Sequence, residues 1–512
     1  MHKFGFTLLL LLVTTEAQAA TCESLLALSL PHTSVTLAQP VAAGAFSPPA
    51  QPQGRGQPAS AFQQLPAFCR VAATSRPASD SEIRIEVWMP LAGWNGKFQG
   101  VGNGGYAGTI TYTAGSGGLE RGMAEALRRG YATASTDTGH TVETGSTFLA
   151  QPVKLVDYGY RAVHEMTVAA KSIVAAFYGA GPKFSYWNGC SLGGRQGLME
   201  AQRFPEDYDG IIAGAPANPQ TRLSVWNVYV GQAALKDPAS TIPVPKFPMI
   251  HRAVLDRCDA LDELQDGLIG DSSRCSFDFK SLACSGDDSP SCLTAAQVAT
   301  ARTLTSPAVH PRSGETIFPG LALGTELGWA TRIGGPAPNP LGTDFVKYAV
   351  FKNSDWDWRT FDLETAVVQA DRIDVIDASA DLRAFMKRGG KLLLYHGWAD
   401  QNFSAQSTID YYRKALDTIG SAQTADWLRL FLAPGMGHCG GGEGPNTFDM
   451  VSALERWVEN NQPPGAMLAS HRTDGKVHRT RPLCPYPQIA KYQGAGSTDE
   501  AANFRCVLPK RD

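Results

Sequence analysis

The chain has 512 residues and a formal net charge of -3. Its length exceeds that of one ordinary domain, so we expect one large unit with an insertion, or two domains. The small net charge leaves no basic stripe for a polyanion, which argues against nucleic-acid binding.

The first residues have the pattern of a secretory signal peptide. Lys3 precedes an apolar run over residues 4–13, and Ala17, Gln18 and Ala19 form a small-residue cleavage site. An apolar run of about ten residues is too short to span a bilayer, which argues against a membrane anchor. We expect residues 1–19 to be removed and the product to be secreted or periplasmic.

Ten cysteines in an exported chain predict five disulfides rather than free thiols. Closeness in sequence favours pairing Cys258 with Cys275, Cys284 with Cys292 and Cys484 with Cys506. That leaves Cys22 for Cys69 and Cys190 for Cys439, although sequence alone does not fix the connectivity.

The first predicted elements alternate between strands and helices. Alternating charged and apolar residues predict a strand over 82–89, and a short strand over 97–99 precedes a glycine-rich loop over 100–108. Apolar spacing predicts a helix over 155–178, followed by a strand over 184–187, a helix from Gly193 and a strand over 211–216.

The alternation of strands and helices fades from about residue 217 to residue 381. It resumes with a helix over 382–388 and strands over 392–395 and 427–432. We therefore predict an α/β fold whose core is discontinuous, formed by residues 20–216 and 381–512, with residues 217–380 as a large inserted lid domain.

The pentapeptide Gly189-Cys190-Ser191-Leu192-Gly193 lies between the strand and the helix. In that context a Gly-x-Ser-x-Gly turn lifts a nucleophilic serine out of a sheet. The alternative is an ordinary turn serine, since a chain with 52 glycines produces such a pentapeptide readily by chance.

A serine hydroxyl needs a histidine base, and the base works best when a carboxylate orients it. Asp400 and His438 follow Ser191 in the order that α/β-hydrolases use, and each lies in a loop after a predicted strand. A plain loop carboxylate is the alternative for Asp400. His140 and His396 also lie near strand ends and compete with His438 for the role of base.

Acyl transfer also requires donors for the developing oxyanion. The amide of Leu192 and a glycine of the 102–105 segment are the candidates, and the alternative for that segment is a merely flexible loop.

The stretch from Cys258 to Leu268 carries three aspartates within eight residues, followed by a glycine. Hard carboxylate and carbonyl oxygens in such a loop are typical of Ca²⁺ binding, although the spacing is not that of an EF-hand. A solvated acidic turn is the alternative, and a structural role suits a bound ion better than a catalytic one.

Several segments together resemble the tannase and feruloyl esterase family of α/β-hydrolases, which includes the mono(2-hydroxyethyl) terephthalate hydrolase. The resemblance is carried by Trp94-Asn95-Gly96, residues 189–195, Arg203-Phe204-Pro205, Tyr395-His396-Gly397 with Asp400, Pro434-Gly435-Met436 with His438-Cys439, and residues 481–487. It covers most of the mature chain.

The resemblance implies a serine esterase with the triad Ser191, Asp400 and His438, and with the amides of Gly105 and Leu192 as the oxyanion hole. It implies a disulfide between Cys190 and Cys439, the neighbours of the nucleophile and the base, and it agrees with the other four pairs. It also implies a structural Ca²⁺ in the lid, bound by side chains of Asp259, Asp262 and Asp266 and by carbonyls of Leu264 and Leu268.

The substrates that the resemblance implies are esters of aromatic acids such as gallate, ferulate and related hydroxycinnamates, or terephthalate monoesters, and we expect the first kind. The rival hypotheses are a terephthalate or phthalate monoester hydrolase and a catalytically silent binding protein. Lys347 is the candidate to bind a substrate carboxylate in the first rival, and Trp356, Trp358 and Phe361 are candidates to stack on an aromatic ring. The sequence gives no oligomeric state.

Overall fold

A computed structural model describes residues 20–49, 59–113, 121–141, 144–420 and 426–509. The expected signal peptide at residues 1–19 lies outside these ranges. The described strands are β1 Thr33–Val41, β2 Phe68–Ser75, β3 Ile83–Pro90, β4 Lys97–Val101, β5 Ala132–Thr136, β6 Phe184–Cys190, β7 Gly210–Gly214, β8 Ala308–Val309, β9 Thr316–Phe318, β10 Lys391–Gly397, β11 Leu428–Ala433, β12 Met467–Thr473, β13 Lys476–Leu483, β14 Ile489–Tyr492 and β15 Phe504–Val507.

The described helices are α1 Met123–Arg128, α2 Pro152–Val156, α3 Ala162–Tyr178, α4 Leu192–Arg203, α5 Gln220–Leu235, α6 Phe247–Cys258, α7 Ala295–Thr305, α8 Ala330–Ile333, α9 Pro340–Asp344, α10 Leu363–Ala370, α11 Arg383–Lys387, α12 Ala405–Ile419 and α13 Met450–Asn460. None of them is long and apolar enough to cross a membrane.

Nine of the described strands form one mixed sheet in the order β1-β2-β3-β5-β4-β6-β7-β10-β11. The pairs from β1 to β5 are antiparallel, and the pairs from β5 to β11 are parallel. The loops that follow parallel strands meet at one edge of the sheet, and this places the loops after β6, β10 and β11 together. The predicted α/β class is confirmed.

The sheet is covered on both faces. In β10 the side chains of Leu392 and Leu394 join one apolar cluster, and those of Leu393 and Tyr395 join another. Successive side chains of a strand point to opposite faces, so the two clusters are the two sides of the sheet. Helices α3 and α12 cover the first side, and α13 covers the second.

Residues 217–380, called the insertion below, add no strand to this sheet within the described part of the chain. They carry α5 to α10 and the short pair β8–β9. The two ends of the insertion are joined, because the side chain of Asn218 accepts from the amide of Ala378 at 2.8 Å and donates to its carbonyl at 3.1 Å.

The structure differs from the sequence predictions in three respects. The helix predicted over 155–178 is interrupted by a π-helical turn at Asp157–Arg161, where the carbonyls of Tyr158 and Gly159 accept from Arg195. The strand predicted over 211–216 ends at Gly214. The sequence does not predict strands β1, β2, β5, β8, β9 and β12 to β15.

All ten cysteines are paired, in the five combinations expected. The disulfides join Cys22 to Cys69, Cys190 to Cys439, Cys258 to Cys275, Cys284 to Cys292 and Cys484 to Cys506.

Candidate active site

Ser191 lies in the turn between β6 and α4, with a φ of 62° and a ψ of -121°. A positive φ is unfavourable for a residue with a side chain, and it is tolerated where the surrounding structure enforces it. A Cβ added to Gly189 would lie 2.4 Å from the carbonyl oxygen of Gly193. The turn is therefore closed so tightly that the first position of the motif must be glycine.

Asp400 and His438 come together from the loops after β10 and β11. Nδ1 of His438 lies 2.7 Å from Oδ2 of Asp400. The Asp400 side chain is fully buried, and that of His438 is 14% exposed. The two loops are in direct contact, because the amide of Ala399 donates to the carbonyl of Met436 at 3.0 Å.

The disulfide between Cys190 and Cys439 joins this pair to the serine turn. The two Cα atoms are 6.0 Å apart, although the cysteines are 249 positions apart in sequence. Ser191 and His438 are the direct neighbours of these cysteines. The structure thus brings the three predicted residues to one place at the edge of the sheet.

The ring nitrogens of the two competing histidines are engaged in other contacts. Nε2 of His140 lies 2.6 Å from the carbonyl oxygen of Tyr106, and burial lowers the pKa of His140 to about 4. His396 contacts Asp400 through Nε2 at 3.0 Å and Thr408 through Nδ1 at 2.7 Å, so both of its nitrogens are used. In the described part of the chain, the observed hydrogen bond of the His438 ring is the one from Nδ1 to Asp400, and Nε2 has none.

The Asp400 carboxylate is held in its charged form. Burial alone would raise the pKa of Asp400, but the charge of His438 and the hydrogen bonds from His396 and His438 lower it well below the ordinary range. A permanent carboxylate is what orients a histidine base and stabilises its imidazolium.

The candidate oxyanion loop is clamped to the start of α4. Gly193 donates to the carbonyl of Asn103 at 2.8 Å, and Asn103 exchanges two 3.0 Å hydrogen bonds with the side chain of Gln196. A Cβ on Gly102 would lie 2.6 Å from the Cα of Gly193, so only glycine permits this approach. The loop is therefore ordered rather than merely flexible.

The two predicted oxyanion donors flank this contact. Leu192 is the first residue of α4, where amide groups lack acceptors within the helix. Gly105 has a φ of 59° and lies three residues after the tight approach at Gly102.

A cavity of about 400 Å³ opens beside His438, between the insertion and the core loops. Its walls include His251 and Thr325 from the insertion, and Trp398, Gln401 and Glu443 from the core. Gln401 also accepts from the amide of His438 at 3.2 Å. The cavity therefore has both polar and apolar walls, and it lies on the side of the proposed base.

Sequence reasoning missed two residues close to Asp400. Gln401 follows it directly, which was the available signal. Arg332 of the insertion is 5% exposed and donates to Asn227 at 2.6 Å and to the carbonyl of Gln401 at 3.4 Å. Burial lowers the pKa of Arg332 to about 10, whereas the charge of Asp400 favours its protonated form. No sequence pattern connects Arg332 to a site 68 positions away.

The candidate substrate residues do not line the cavity beside His438. Lys347 lies over the ring of Tyr348, with Nζ 5.6 Å from the ring centroid. Trp356, Trp358 and Phe361 pack against the large apolar cluster of the insertion and core. Packing within the insertion is thus their observed role.

The acidic loop of the insertion is folded around its own carboxylates. Asp259 accepts from the amides of Asp266 and Gly267, and Asp262 accepts from that of Leu264. Oδ2 of Asp266 accepts from Arg481 at 2.6 Å. The carboxylates of Asp259, Asp262 and Asp266 are not among the ligand groups that lie within 4.8 Å of one another in the described residues.

Comparisons with known proteins identify the family of the chain. The sequence profile of the family described as "Tannase and feruloyl esterase" matches residues 69–507. An uncharacterized esterase of Xanthomonas campestris pv. campestris is 39% identical, over 97% of this chain and 92% of its own length. A probable feruloyl esterase B-1 of Aspergillus fumigatus is 34% identical, over 86% of each chain.

A solved structure is similar over nearly the whole chain. The crystal structure of feruloyl esterase B from Aspergillus oryzae superposes with a TM-score of 0.87 at 30% identity, over 95% of this chain and 99% of that one. Tannin acyl hydrolase from Aspergillus niger superposes with a TM-score of 0.76 at 20% identity, over 96% of this chain and 95% of that one, which supports the fold.

Proposed function

The chain belongs to the tannase and feruloyl esterase family and is a carboxylic-ester hydrolase, and from this we propose that it is a secreted serine esterase that cleaves esters of aromatic acids. The observation that carries the proposal is the Asp400–His438 pair, which the Cys190–Cys439 disulfide joins to the strained turn of Ser191.

In the proposed mechanism, the Ser191 hydroxyl attacks the ester carbonyl while Nε2 of His438 takes its proton. His438 then gives that proton to the departing alcohol, and Ser191 retains the acyl group. Water, deprotonated by His438, attacks the acyl-enzyme and releases the acid, and the proton returns to Ser191. Asp400 keeps Nδ1 of His438 protonated and stabilises the imidazolium.

The amides of Gly105 and Leu192 are proposed to bind the oxyanion of each tetrahedral intermediate. The ordering of both segments by the Asn103–Gly193 and Asn103–Gln196 contacts supports this role, since preorganised donors need no rearrangement during the reaction.

An aromatic acyl group is proposed from the names of the relatives, which are feruloyl esterases and a tannin acyl hydrolase. The insertion is proposed to act as the lid over the acyl group. The cavity beside His438 supports a small-molecule substrate, because His438 must protonate the leaving alcohol and that side has room for it.

The test is hydrolysis of methyl ferulate, methyl gallate, mono(2-hydroxyethyl) terephthalate and p-nitrophenyl acetate by wild type, Ser191→Ala and the helix-surface control Ser172→Ala. We expect one of the first two esters to be turned over fastest, with loss of at least about 10³-fold in Ser191→Ala and none in Ser172→Ala. A fluorophosphonate should label wild type and Ser172→Ala only.

Two outcomes would contradict parts of the proposal. If Ser191→Ala were labelled and turned over substrate as wild type does, Ser191 would not be the nucleophile. If the terephthalate monoester were the preferred substrate, and if Lys347→Ala lost activity on that ester alone, the acyl group would be assigned to a dicarboxylic aromatic acid and not to a ferulate or gallate type.

We also propose a structural Ca²⁺ in the acidic loop, held by side chains of Asp259, Asp262 and Asp266 and carbonyls of Leu264 and Leu268. The donor set supports it, since every proposed ligand atom is a hard oxygen. Both oxygens of Asp266 already accept hydrogen bonds, Oδ2 from Arg481 and Oδ1 from the amide of Leu268, and the ion would share this carboxylate with them. Bound Ca²⁺ would tie the loop together and take no part in the acyl transfer.

Thermal unfolding with EDTA and with Ca²⁺ tests this site. Excess Ca²⁺ should raise the midpoint of wild type by several degrees and leave Asp262→Asn unchanged. Asp287→Asn, at an exposed acid elsewhere in the insertion, is the control that should respond like wild type. An equal response of all three proteins would discard the site.

Export is proposed from the N-terminal pattern, and the five disulfides support it, because such bonds persist in oxidising compartments. N-terminal sequencing of the protein from culture medium or periplasm should read from about Ala20. A product that begins at Met1 would contradict cleavage.

A further inference from the structure

The Asp400 carboxylate is shared by two histidines. Its Oδ2 lies 2.7 Å from Nδ1 of His438 and 3.0 Å from Nε2 of His396. Its Oδ1 accepts from the amides of Asn402 at 2.7 Å and Phe403 at 3.2 Å. Four donors therefore fix a carboxylate that needs only one of them to orient the proposed base.

His396 is itself fixed on both sides. It is fully buried near the end of β10, and its Nδ1 lies 2.7 Å from Oγ1 of Thr408, a buried residue of α12. A carboxylate can only accept, so Nε2 of His396 carries the hydrogen that points at Asp400. The Thr408 hydroxyl then satisfies Nδ1 and prevents the ring from turning.

The same geometry rules His396 out as the base. Its side chain is inaccessible, and both ring nitrogens are engaged. The edge of Phe403 packs against both imidazoles, with centroid distances of 5.7 Å to His396 and 5.0 Å to His438. Asp400 and the two rings thus form one rigid unit.

We propose that His396, supported by Thr408, is a positioning residue that holds the Asp400 carboxylate against His438 and moderates its charge. The inference rests on the proposed roles of Asp400 and His438. Without the His396 donor, Oδ2 concentrates more charge toward His438, and the imidazolium is stabilised. The carboxylate also gains freedom to rotate away, so the base is misaligned part of the time.

The variants His396→Leu, His396→Gln and Thr408→Val separate these effects. Leucine removes the donor, glutamine keeps an N–H that can reach Asp400, and valine removes only the support at Nδ1. Turnover of p-nitrophenyl acetate is measured from pH 5 to pH 9, and near-UV circular dichroism verifies the fold.

For His396→Leu we expect kcat to fall by about 10–100-fold, with KM changed less than about twofold. The acidic limb of its pH profile should move up by about half a pH unit or more. His396→Gln should recover most of both, and Thr408→Val should show a smaller shift in the same direction. A folded His396→Leu with the wild-type kcat and pH profile would overturn the inference.

A proton resonance provides a readout that needs no turnover. The hydrogen between His438 Nδ1 and Asp400 should give a far-downfield signal in wild type and in Ser191→Ala, and the signal should broaden or vanish in His396→Leu. If His396→Leu does not fold, an unchanged signal and pH profile in folded Thr408→Val would overturn the inference. Absence of Ser191-dependent turnover in wild type would refute the proposed function, while loss of the signal in the variants would still support the placement of Asp400 by His396.

Discussion

Two buried aspartates that follow strands of the same sheet have pKa values shifted in opposite directions. The carboxyl of Asp400 faces two imidazoles, which lower its pKa despite burial. Oδ1 of Asp137, after β5, accepts from the amides of Arg84 and Gly139 at 2.9 Å, but its Oδ2 is buried without a partner in the described residues. Burial raises the pKa of Asp137 to about 7. Both carboxyls are buried, so the charge and hydrogen bonds of the neighbouring imidazoles account for the opposite direction of the two pKa shifts.

The raised pKa of Asp137 predicts a pH-dependent stability. In the unfolded chain this carboxyl loses its proton near pH 4, whereas in the folded protein it holds the proton to about pH 7. Its contribution to the free energy of unfolding therefore decreases from about pH 4 to pH 7 and then levels off. Asp137→Asn keeps an acceptor for both amides and removes the charge.

We expect the stability gained by Asp137→Asn over wild type to be larger at pH 8 than at pH 5 by about 2–3 kcal/mol, because the folded carboxyl of wild type stays protonated to about pH 7 while the unfolded one is already ionised. Urea unfolding at the two pH values measures this difference. The exposed control Asp80→Asn should show no such dependence, and an equal effect of Asp137→Asn at both pH values would contradict the raised pKa.

At the scale of elements, α4 is the part of the fold that brings the site together. Its first turn contacts the proposed oxyanion loop through Gly193, and its fully buried Arg195 donates to the carbonyls of Gly159 and Ile376 at 2.9 and 2.6 Å. Arg195 thus connects the serine turn to the π-helical turn and to the end of the insertion.

Arg195→Met is expected to lower the free energy of unfolding by about 3 kcal/mol, because it removes three hydrogen bonds to buried backbone carbonyls. Arg203→Met in the same helix is the control, since Arg203 is exposed and should cost less than about 1 kcal/mol. Urea unfolding measures the free energy of unfolding of both variants. Equal losses of stability would show that Arg195 does not link these elements.

The Cys190–Cys439 disulfide joins two further elements, the serine turn and the loop after β11. Replacing both cysteines by alanine should reduce kcat about 10-fold or more in protein that is still folded, because the proposed base His438 is no longer held beside the proposed nucleophile Ser191. The matched control removes Cys284 and Cys292, which close a short loop far from Ser191 in sequence.

Both variants are assayed well below their unfolding midpoints. The Cys190–Cys439 disulfide closes the longer loop, so its removal also costs more stability: about 5 kcal/mol in the chain-entropy account, against about 2.5 kcal/mol for Cys284–Cys292. Activity is therefore compared per folded molecule. Equal activities per folded molecule would mean that the bond contributes stability alone.

Sequence predicted those elements that carry large alternating side chains or closed turns. Strands β3, β6, β10 and β11 are apolar enough to be recognised, and the turn at Ser191 is marked by its glycines. Strand β5 reads Ala-Thr-Ala-Ser-Thr and contains no large apolar side chain, so no periodicity reveals it. Its place between β3 and β4 depends on long-range pairing, which a sequence does not display.

The same limit applies to the site. The order of Ser191, Asp400 and His438 was readable because each follows a strand. The second hydrogen bond to Asp400 could not be predicted from the sequence. It depends on the direction in which the His396 side chain points from β10 and on Thr408 of the next helix. Sequence therefore presented His396 as a rival base.

For the whole molecule, the insertion and the core share one apolar cluster. Trp226, Phe247 and Trp329 of the insertion pack in the same cluster as Ile212 and Tyr395 of the sheet. A lid that lies on a core as a separate domain would keep its own cluster. The shared packing indicates that the two parts stabilise each other. The two hydrogen bonds between Asn218 and Ala378 also join the two ends of the insertion.

We expect the insertion and the core to unfold as one cooperative unit. Pulsed hydrogen exchange across a urea series, read by mass spectrometry, should show peptides of the insertion and of the sheet losing protection at the same urea concentration. Trp226→Ala empties a fully buried position and should move both sets of peptides down together, with a cost of about 3–5 kcal/mol. Val368→Ala, at a side chain that is 45% exposed on α10, should move neither. If the insertion lost protection first in wild type, or alone in Trp226→Ala, it would be a separable domain, and the access of substrate to Ser191 would then be open to control by local unfolding of the lid.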